Sequence, residues 1–255
     1  MTILDDQQVA DFNRDGFCIA RQMFGADEID LLRRAALEDR SLDQQAIGRT
    51  DGEGGSIRLK VWDQPADGIY GLFSCCRRLV DSMELLLGGE VYHYHSKMIL
   101  KDPRTGGAFA WHQDYGYWYH NAVLYPLLAS VAIAIDPATR ANGCMQVLSG
   151  SHHMDRIDHV DIGQQRGADP ERVEMAIQRH ELVYCELEPG DALFFHCNLL
   201  HRSDQNHSDD PRWSMVCCYN AARNDRYKDA PHSSYTPLEK VDDGAIREFG
   251  TRIAS

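Results

Sequence analysis

Helical patterns dominate the first third of the chain, and short strand-like runs separated by tight turns follow them. In the clearest helical segments, apolar residues recur three and four positions apart. The predicted helices cover residues 5–14, 27–39 and 74–87, with a later one over 170–178. The predicted strands cover residues 17–20, 90–101, 130–135, 144–148, 182–187, 192–196 and 212–219. Short strands with turn signals are typical of sandwiches and barrels, so the sequence predicts a mainly β fold with flanking helices.

The length of 255 residues suits one large domain or two small ones, and no internal repeat divides the chain. We expect a single domain over 1–255, with N-terminal helices over about 1–90, a β core over about 91–220 and a C-terminal extension over 221–255. The polar, glycine-rich segment 48–56 is predicted to be a mobile loop, which near an active site would serve as a lid. It lacks the strand–loop–helix context and the Lys-Ser/Thr of a phosphate-binding loop.

The charge balance is acidic, with 26 Lys and Arg against 39 Asp and Glu. Nucleic acid is therefore not expected as a partner. The chain has no run of about 18 apolar residues and its polar N-terminus lacks a signal-peptide core, so we expect a cytoplasmic protein without a membrane segment. The eight cysteines form no C-x-x-C pair and are expected to be reduced thiols that fill core space. Composition leaves both a monomer and a homodimer open.

The segment AWHQDYGYWYH, residues 110–120, places His112 and Asp114 two positions apart among aromatic residues. Residues i and i+2 of an extended chain share a face, so the imidazole and the carboxylate point toward one place. Both groups are common ligands of transition metals. The alternative is a structural hydrogen-bonded pair, which would need no third ligand.

His201 is the strongest candidate among twelve histidines for a third ligand. It follows a buried apolar strand and precedes Arg212 by eleven residues. A zinc site is the alternative, since Cys197 lies four residues before His201 and Cys185 lies upstream. Cys197 and His201 would need a helix to share a face, whereas here a strand runs into a loop, which disfavours zinc.

The sequence WHQD, then ANGCMQVLSGSH, then PGDALFFHCNLLHRSDQN and a later arginine form an ordered pattern. This pattern resembles the phytanoyl-CoA dioxygenase family of non-haem iron(II), 2-oxoglutarate-dependent oxygenases, over about residues 16–219. The resemblance implies a double-stranded β-helix, a jelly-roll-like or cupin-like barrel, which agrees with the order of helices and strands. It also implies that the iron ligands are His112, Asp114 and His201.

The resemblance further implies a site for the cosubstrate 2-oxoglutarate. Arg212 matches the residue that pairs with its distal carboxylate, and Ser203 matches a hydroxyl residue beside that carboxylate. Gln113 and Lys97 fall where the family has residues that line the cosubstrate. A guanidinium suits a carboxylate because it offers two parallel donors.

Three protein ligands on one face leave three positions of an octahedral metal open, which is the pattern of non-haem iron(II) oxygenases. The resemblance implies that 2-oxoglutarate and O2 are converted to succinate and CO2 while an aliphatic C–H bond is hydroxylated. Related halogenases typically have a small residue at the position of Asp114. The carboxylate here therefore favours hydroxylation without halide.

Aromatic residues near the predicted site are candidates for substrate contacts. The four that we expect there are Trp118, Tyr115, Tyr117 and His95. Strict alternation over residues 90–101 predicts that His93, His95 and Lys97 face the site, while the opposite face carries Tyr92, Tyr94 and Ser96. A pocket of aromatic walls with polar tips suits a small, partly polar molecule.

The expected substrate is a free amino acid derivative or a biosynthetic intermediate. The chain is short for the family and has no evident basic patch for the phosphates of coenzyme A, which disfavours an acyl-CoA hydroxylase. A jelly-roll protein that binds a small molecule without turnover is the alternative from another functional class.

Overall fold

Two antiparallel sheets form the centre of the molecule in a computed structural model, which describes residues 3–44, 47–51, 54–230 and 232–253. The strands are β1 Phe17–Ala20, β2 Ile47–Thr50, β3 Ser56–Trp62, β4 Val91–Lys101, β5 Phe109–His112, β6 Leu128–Ala134, β7 Met145–Leu148, β8 His159–Ile162, β9 Gln165–Ala168, β10 Leu182–Cys185, β11 Ala192–His196, β12 His201–Ser203 and β13 Arg212–Ala221. The larger sheet has the order β1-β11-β6-β13-β4-β3-β2, and the smaller has the order β10-β7-β12-β5. A separate hairpin joins β8 and β9. This arrangement is the predicted double-stranded β-helix.

In the described part of the chain, the helices are α1 Asp6–Asp15, α2 Ala26–Glu38, α3 Arg40–Gln44, α4 Ile69–Cys75, α5 Arg77–Leu87, α6 Asp114–Trp118, α7 Pro170–Ile177 and α8 Ala245–Ile253. A capping box starts α1, where Asp5 accepts from the backbone N–H of Gln8 at 2.8 Å. The helix predicted over 74–87 is interrupted at Cys76, whose extended backbone bridges to Val241 and separates α4 from α5. None of these helices is both long and apolar enough to cross a membrane.

Most of the apolar core lies in two layers, one on each face of the larger sheet, and a smaller third cluster packs α7 against Leu148 and Leu200. The outer layer packs the sheet against the helices, through residues such as Phe73 and Leu79. The inner layer lies between the two sheets and includes Val147 and Leu193. Strand β6 meets both layers and is therefore buried at every position. All eight cysteines are buried and unpaired, in agreement with the expectation that they fill core space.

The N-terminal third contains more than the predicted helices, because it adds β1, β2 and β3 to the larger sheet. The mobile loop predicted over 48–56 is replaced by the hairpin of β2 and β3, although residues 52 and 53 lie outside the described part. Asp51 holds the turn by accepting from the backbone N–H groups of Gly55 and Ala108, at 2.8 and 2.9 Å. It also accepts from the side-chain amide of Gln205 at 2.7 Å. These contacts anchor the hairpin to distant parts of the chain.

A β-bulge in β4 changes which side chains face the barrel interior. Two neighbouring residues of β13 pair with His93 and His95, so Tyr94 between them has no partner. Tyr94 packs in the inner core with Tyr92, while His93 lies against Tyr219, with ring centroids 6.2 Å apart. The predicted alternation is therefore wrong for the first half of β4 and holds from His95 onward.

Candidate metal centre

The three predicted metal ligands meet between the sheets. His112 ends β5 and pairs across the smaller sheet with His201, the first residue of β12. The centroids of the two imidazole rings lie 4.0 Å apart. Asp114 opens α6 directly after β5. Ligand atoms of all three side chains lie within 4.8 Å of one another, so one metal ion can reach them all.

Backbone carbonyl groups fix the orientation of both imidazoles. Nδ1 of His112 lies 2.8 Å from the carbonyl oxygen of Ala110, and Nδ1 of His201 lies 2.9 Å from that of Leu199. Because a carbonyl oxygen only accepts, we assign the proton to Nδ1 in both rings. Nε2 then keeps its lone pair for a metal, as in other metal-binding histidines.

Asp114 supplies the negative charge of the site. Burial alone would raise its pKa, but Lys97 and the two histidines lower the pKa to about 2, so the group is ionised at neutral pH. Burial lowers the pKa of both His112 and His201, which are therefore neutral. One oxygen of Asp114 accepts from Oγ of Ser130 at 3.0 Å, and the other lies 3.9 Å from Nζ of Lys97. Two neutral imidazoles and a carboxylate form the donor set of a facial triad.

A pocket lined by His112 and His201 also contains a buried arginine without a counter-ion. Arg212 opens β13 and is only 7% exposed. In the part of the chain that the structure describes, its guanidinium forms no salt bridge or side-chain hydrogen bond, and its Nε is buried without a partner. Burial lowers the pKa of Arg212 to about 10, which leaves it charged at neutral pH. A buried, unpaired cation is costly, so this end of the pocket fits a ligand carboxylate.

The two alternatives to a His-Asp-His metal site find no support in this geometry. His112 and Asp114 are not hydrogen-bonded to each other, because they bind a backbone carbonyl and Ser130 instead. Among the described residues, only His112, Asp114 and His201 form a cluster that could hold a metal. Cys197 is not part of it, and burial raises the pKa of its thiol, which disfavours the thiolate that zinc requires.

Comparison with known proteins agrees with this donor set. The family model described as phytanoyl-CoA dioxygenase (PhyH) matches residues 12–214. This chain belongs to the phytanoyl-CoA dioxygenase family. Both the predicted family and the predicted enzyme class, an iron(II)- and 2-oxoglutarate-dependent dioxygenase, are confirmed.

The proteins that are similar in sequence to this chain include named enzymes. The ectoine dioxygenase of Sphingopyxis alaskensis is 29% identical over 234 residues, which cover 86% of this chain and 76% of that protein. The L-proline trans-4-hydroxylase of Streptomyces griseoviridis is 31% identical over 163 residues, which cover 57% of this chain and 60% of that protein. The first of these similarities extends over most of this chain, and the second extends over about half of it.

Solved structures show the same fold. EctD from S. alaskensis with 2-oxoglutarate and 5-hydroxyectoine has a TM-score of 0.80 and 25% identity, covering 94% of this chain and 88% of that chain. The epimerase SnoN from nogalamycin biosynthesis has a TM-score of 0.70 and 19% identity, covering 92% of each chain. The likeness to SnoN concerns the fold alone.

Gln113 supports the metal-ligand segment of this family member and does not line the pocket. It is fully buried and alternates with His112 and Asp114, so its side chain points away from theirs. Its amide nitrogen donates to the carbonyl oxygen of Asn198 at 2.8 Å, and its amide oxygen accepts from the N–H of Ile157 at 2.7 Å. Both ends of the amide are used by the backbone, which corrects the prediction of a cosubstrate contact.

His159, in β8, completes this support. The backbone N–H of Gln113 donates to Nε2 of His159 at 3.2 Å, and the ring packs on Tyr117 with centroids 4.4 Å apart. Burial lowers the pKa of His159 to about 4, so the ring is neutral and can accept. Gly116 makes room for it, since a Cβ there would lie 2.1 Å from Nε2 of His159. The polar sequence around His159 suggests a solvated histidine, so sequence reasoning missed this residue.

We expect Gly116→Ala to weaken metal binding, because the new methyl group must displace His159 and disturb the segment that carries Asp114. The expected loss of affinity is roughly 10- to 100-fold, as for other groups that orient metal ligands. Calorimetric titration of the metal-free protein with cobalt(II) measures it. Gly244→Ala is the matched control, since only a side-chain oxygen of Asp242 lies close to that position. Unchanged affinity with a lower melting temperature would show that His159 supports only the fold.

Ser203 and Lys97 line the pocket, and Lys101 is a nearby cation that sequence reasoning missed. Lys101 is fully buried and donates from Nζ to Oγ of Ser203 at 2.7 Å and to the carbonyl oxygen of Asp204. It pairs across the sheet with Arg212. Burial and the charge of Arg212 lower the pKa of Lys101 well below its usual value. Lys101 lies four positions after Lys97 on the same face of β4, and this spacing was the available signal.

Of the four predicted substrate residues, Trp118 and His95 are in contact with each other, whereas Tyr115 and Tyr117 pack elsewhere. Trp118 and His95 are 5% and 6% exposed, and their ring centroids lie 5.4 Å apart. Tyr115 instead belongs to the inner core, where its hydroxyl donates to a backbone carbonyl of the following loop at 2.6 Å. The hydroxyl of Tyr117 donates to a carbonyl of β9, and its ring packs on His159. None of these four residues lines the pocket, although the ring of Tyr117 lies 5.8 Å from that of His112.

Proposed function

We propose that this chain is an iron(II)- and 2-oxoglutarate-dependent hydroxylase of a small molecule. In this proposal His112, Asp114 and His201 hold the iron, and Arg212 anchors 2-oxoglutarate. The observation that carries it is a cluster of three converging metal donors at a pocket that contains an unpaired, buried guanidinium. Support also comes from the EctD structures, one of which has bound Fe and another 2-oxoglutarate with 5-hydroxyectoine.

The bound iron and 2-oxoglutarate would supply the oxidising chemistry, in which O2 converts 2-oxoglutarate to succinate and CO2 as a substrate C–H bond is hydroxylated. The chain positions the reactants. His112 and His201 present Nε2, and Asp114 presents a carboxylate that Ser130 holds in place. Arg212 gives two parallel donors to the far carboxylate, which fixes the orientation of the cosubstrate.

Ser203 and Lys101 extend this anchor. The hydroxyl oxygen of Ser203 accepts from Lys101, so its own proton is free to be donated to the carboxylate beside Arg212. The pocket also has apolar walls, which limit water around this charge pair and strengthen it. These walls are formed by Ile99, Phe109, Met145, Phe195 and Val216.

The substrate in this proposal is a free amino acid derivative. Ectoine and L-proline, after which two relatives are named, are both small cyclic molecules with a carboxylate beside a ring nitrogen. The formal net charge of −13 gives no general attraction for the phosphates of coenzyme A. A cytoplasmic location remains a prediction.

Iron-dependent formation of succinate tests this function. Metal-free protein is incubated with 2-oxoglutarate, ascorbate and air, with or without iron(II), and with a panel of free amino acids, ectoine and acyl-CoA thioesters. We expect succinate only when iron(II) is present, and more of it when a free acid is added. Binding of iron and 2-oxoglutarate without succinate from any compound would instead indicate a binding protein. Turnover of thioesters alone would overturn the proposed substrate class.

A further inference from the structure

In the described part of the chain, Lys97 is one of three cationic side chains that line the pocket, with Arg202 and Arg212, and it has no close partner. Its side chain is 19% exposed and lines the pocket with His112 and His201. Among the described residues, its single ion-pair partner is Asp114, whose Oδ1 lies 3.9 Å from Nζ. That distance is too long for a hydrogen bond. A largely buried ammonium without hydrogen bonds is poorly compensated for its lost hydration.

The charges of the loaded site leave Lys97 unpaired. Once a divalent metal is bound, Asp114 shares its charge with the metal, and the metal repels the nearby ammonium. One carboxylate of 2-oxoglutarate is used at the metal and the other at Arg212. The Arg202 charge is paired with Asp204. With one negative charge on Asp114, two on the cosubstrate, two positive charges on the metal and one each on Arg212 and Lys97, one positive charge is uncompensated even before Lys101 is counted. The site therefore favours one more anion.

Lys97 also lies apart from the cosubstrate anchor. Arg212 pairs with Lys101, four residues along β4 from Lys97, which corresponds to about 13 Å of strand. In the other direction along β4, Lys97 shares a face with His95, whose ring centroid lies 5.4 Å from that of Trp118. Nδ1 of His95 is buried without a partner. Lys97 and the unpaired ring nitrogen of His95 thus follow one another along β4, away from Arg212, and the indole ring of Trp118 in α6 packs against His95.

We propose that Lys97 binds a carboxylate of the substrate, which is therefore a small carboxylic acid that lies on the side of Lys97 away from Arg212. This assignment rests on the proposed function. It makes Lys97 a substrate-binding residue, whereas the family resemblance implies that Lys97 lines the cosubstrate. The competing assignment places Lys97 against the metal-chelating carboxylate of 2-oxoglutarate. The two assignments differ in which Michaelis constant depends on the ammonium group.

Lys97→Met tests the proposal, because it removes the charge and keeps an unbranched side chain. The substrate acid is selected from L-proline, ectoine and other free L-amino acids by its stimulation of succinate formation. We expect the variant to raise the KM for that acid roughly 10- to 100-fold, and the KM for 2-oxoglutarate by less than about threefold. In the wild-type protein, L-prolinamide and other α-carboxamides should stimulate far less than the matching acids, because they lack the charge.

A binding measurement without turnover accompanies the kinetics. The selected acid is titrated calorimetrically, without oxygen, into protein loaded with cobalt(II) and 2-oxoglutarate, and Lys97→Met should weaken its binding as much as it raises the KM. Lys228→Met is the matched control, since Lys228 is an exposed lysine next to Tyr227. It should change neither constant, and melting temperatures show that both variants fold.

Three results would overturn the role of Lys97: amides that stimulate as well as acids, a panel in which no acid stimulates, or a variant that affects 2-oxoglutarate as much as the acid. In each of them the wild-type protein still forms succinate from 2-oxoglutarate with iron(II). Failure of the proposed function is different, because the wild-type protein would then form no succinate at all.

Discussion

Replacement of His201 by alanine is expected to abolish iron-dependent succinate formation. The change removes one of three metal donors, so the loss in metal affinity should exceed the roughly 10- to 100-fold effect of residues that only orient ligands. His201 pairs directly with His112, and its Nε2 is left free by the bond from Nδ1 to Leu199. Cobalt(II) titration and the succinate assay measure the two effects separately.

His153→Ala is the control for this variant, because His153 is an exposed imidazole stacked on His152 outside the metal site. It should retain both metal affinity and succinate formation. His201 also packs 5.1 Å from the ring of Phe195, so the less disruptive His201→Gln is measured beside the alanine variant. Wild-type metal affinity in a folded His201 variant would remove this residue from the metal site.

The metal ligands could be predicted because their signals are local. His112 and Asp114 share a face through alternation, and His201 follows an apolar run that forms β11. Their meeting depends on the pairing of β5 with β12, across almost ninety residues of chain. No periodicity within either segment encodes that pairing, and the family resemblance supplied it.

Strand β4 shows where a local pattern fails. Its sequence alternates regularly, yet Tyr94 has no partner in the register with β13, and the residues before it change face. The cause lies on the neighbouring strand, so the segment alone predicts the wrong face for His93. Alternation is valid again after the bulge, so the sequence correctly placed Lys97 in the pocket. The same alternation could have placed Lys101 on the face of Lys97.

The β2–β3 hairpin and His159 were missed for a related reason. A polar, glycine-rich sequence suggests mobility, but Asp51 binds Ala108 and Gln205, which lie 57 and 154 residues away in the chain. His159 likewise gains its role from Gln113, 46 residues earlier. The composition of a segment indicates how that segment behaves alone. The β2–β3 hairpin and His159 are instead held in place by residues that are distant in the sequence.

Arg212→Met is expected to raise the KM for 2-oxoglutarate by roughly 10- to 1000-fold. The variant loses a charge-assisted bidentate pair, which contributes about 1.5–4 kcal/mol in a pocket of low water content. Arg212→Lys keeps the charge but not the two parallel donors, so its KM should lie between those of the wild type and the methionine variant. Arg14→Met is the matched control, because the exposed Arg14 guanidinium is paired with Asp11 and Asp15 and does not line the pocket.

Stability provides an independent test of the same residue. Without 2-oxoglutarate, Arg212→Met should be at least as stable as the wild type, because it removes a buried charge that has no partner among the described residues. Added 2-oxoglutarate should raise the melting temperature of the metal-loaded wild type much more than that of the variant. If the variant keeps the wild-type KM and the wild-type thermal shift, the far carboxylate must bind elsewhere. Lys101 is then the next candidate, since it is the buried cation paired with Arg212 across the sheet and already bound to Ser203.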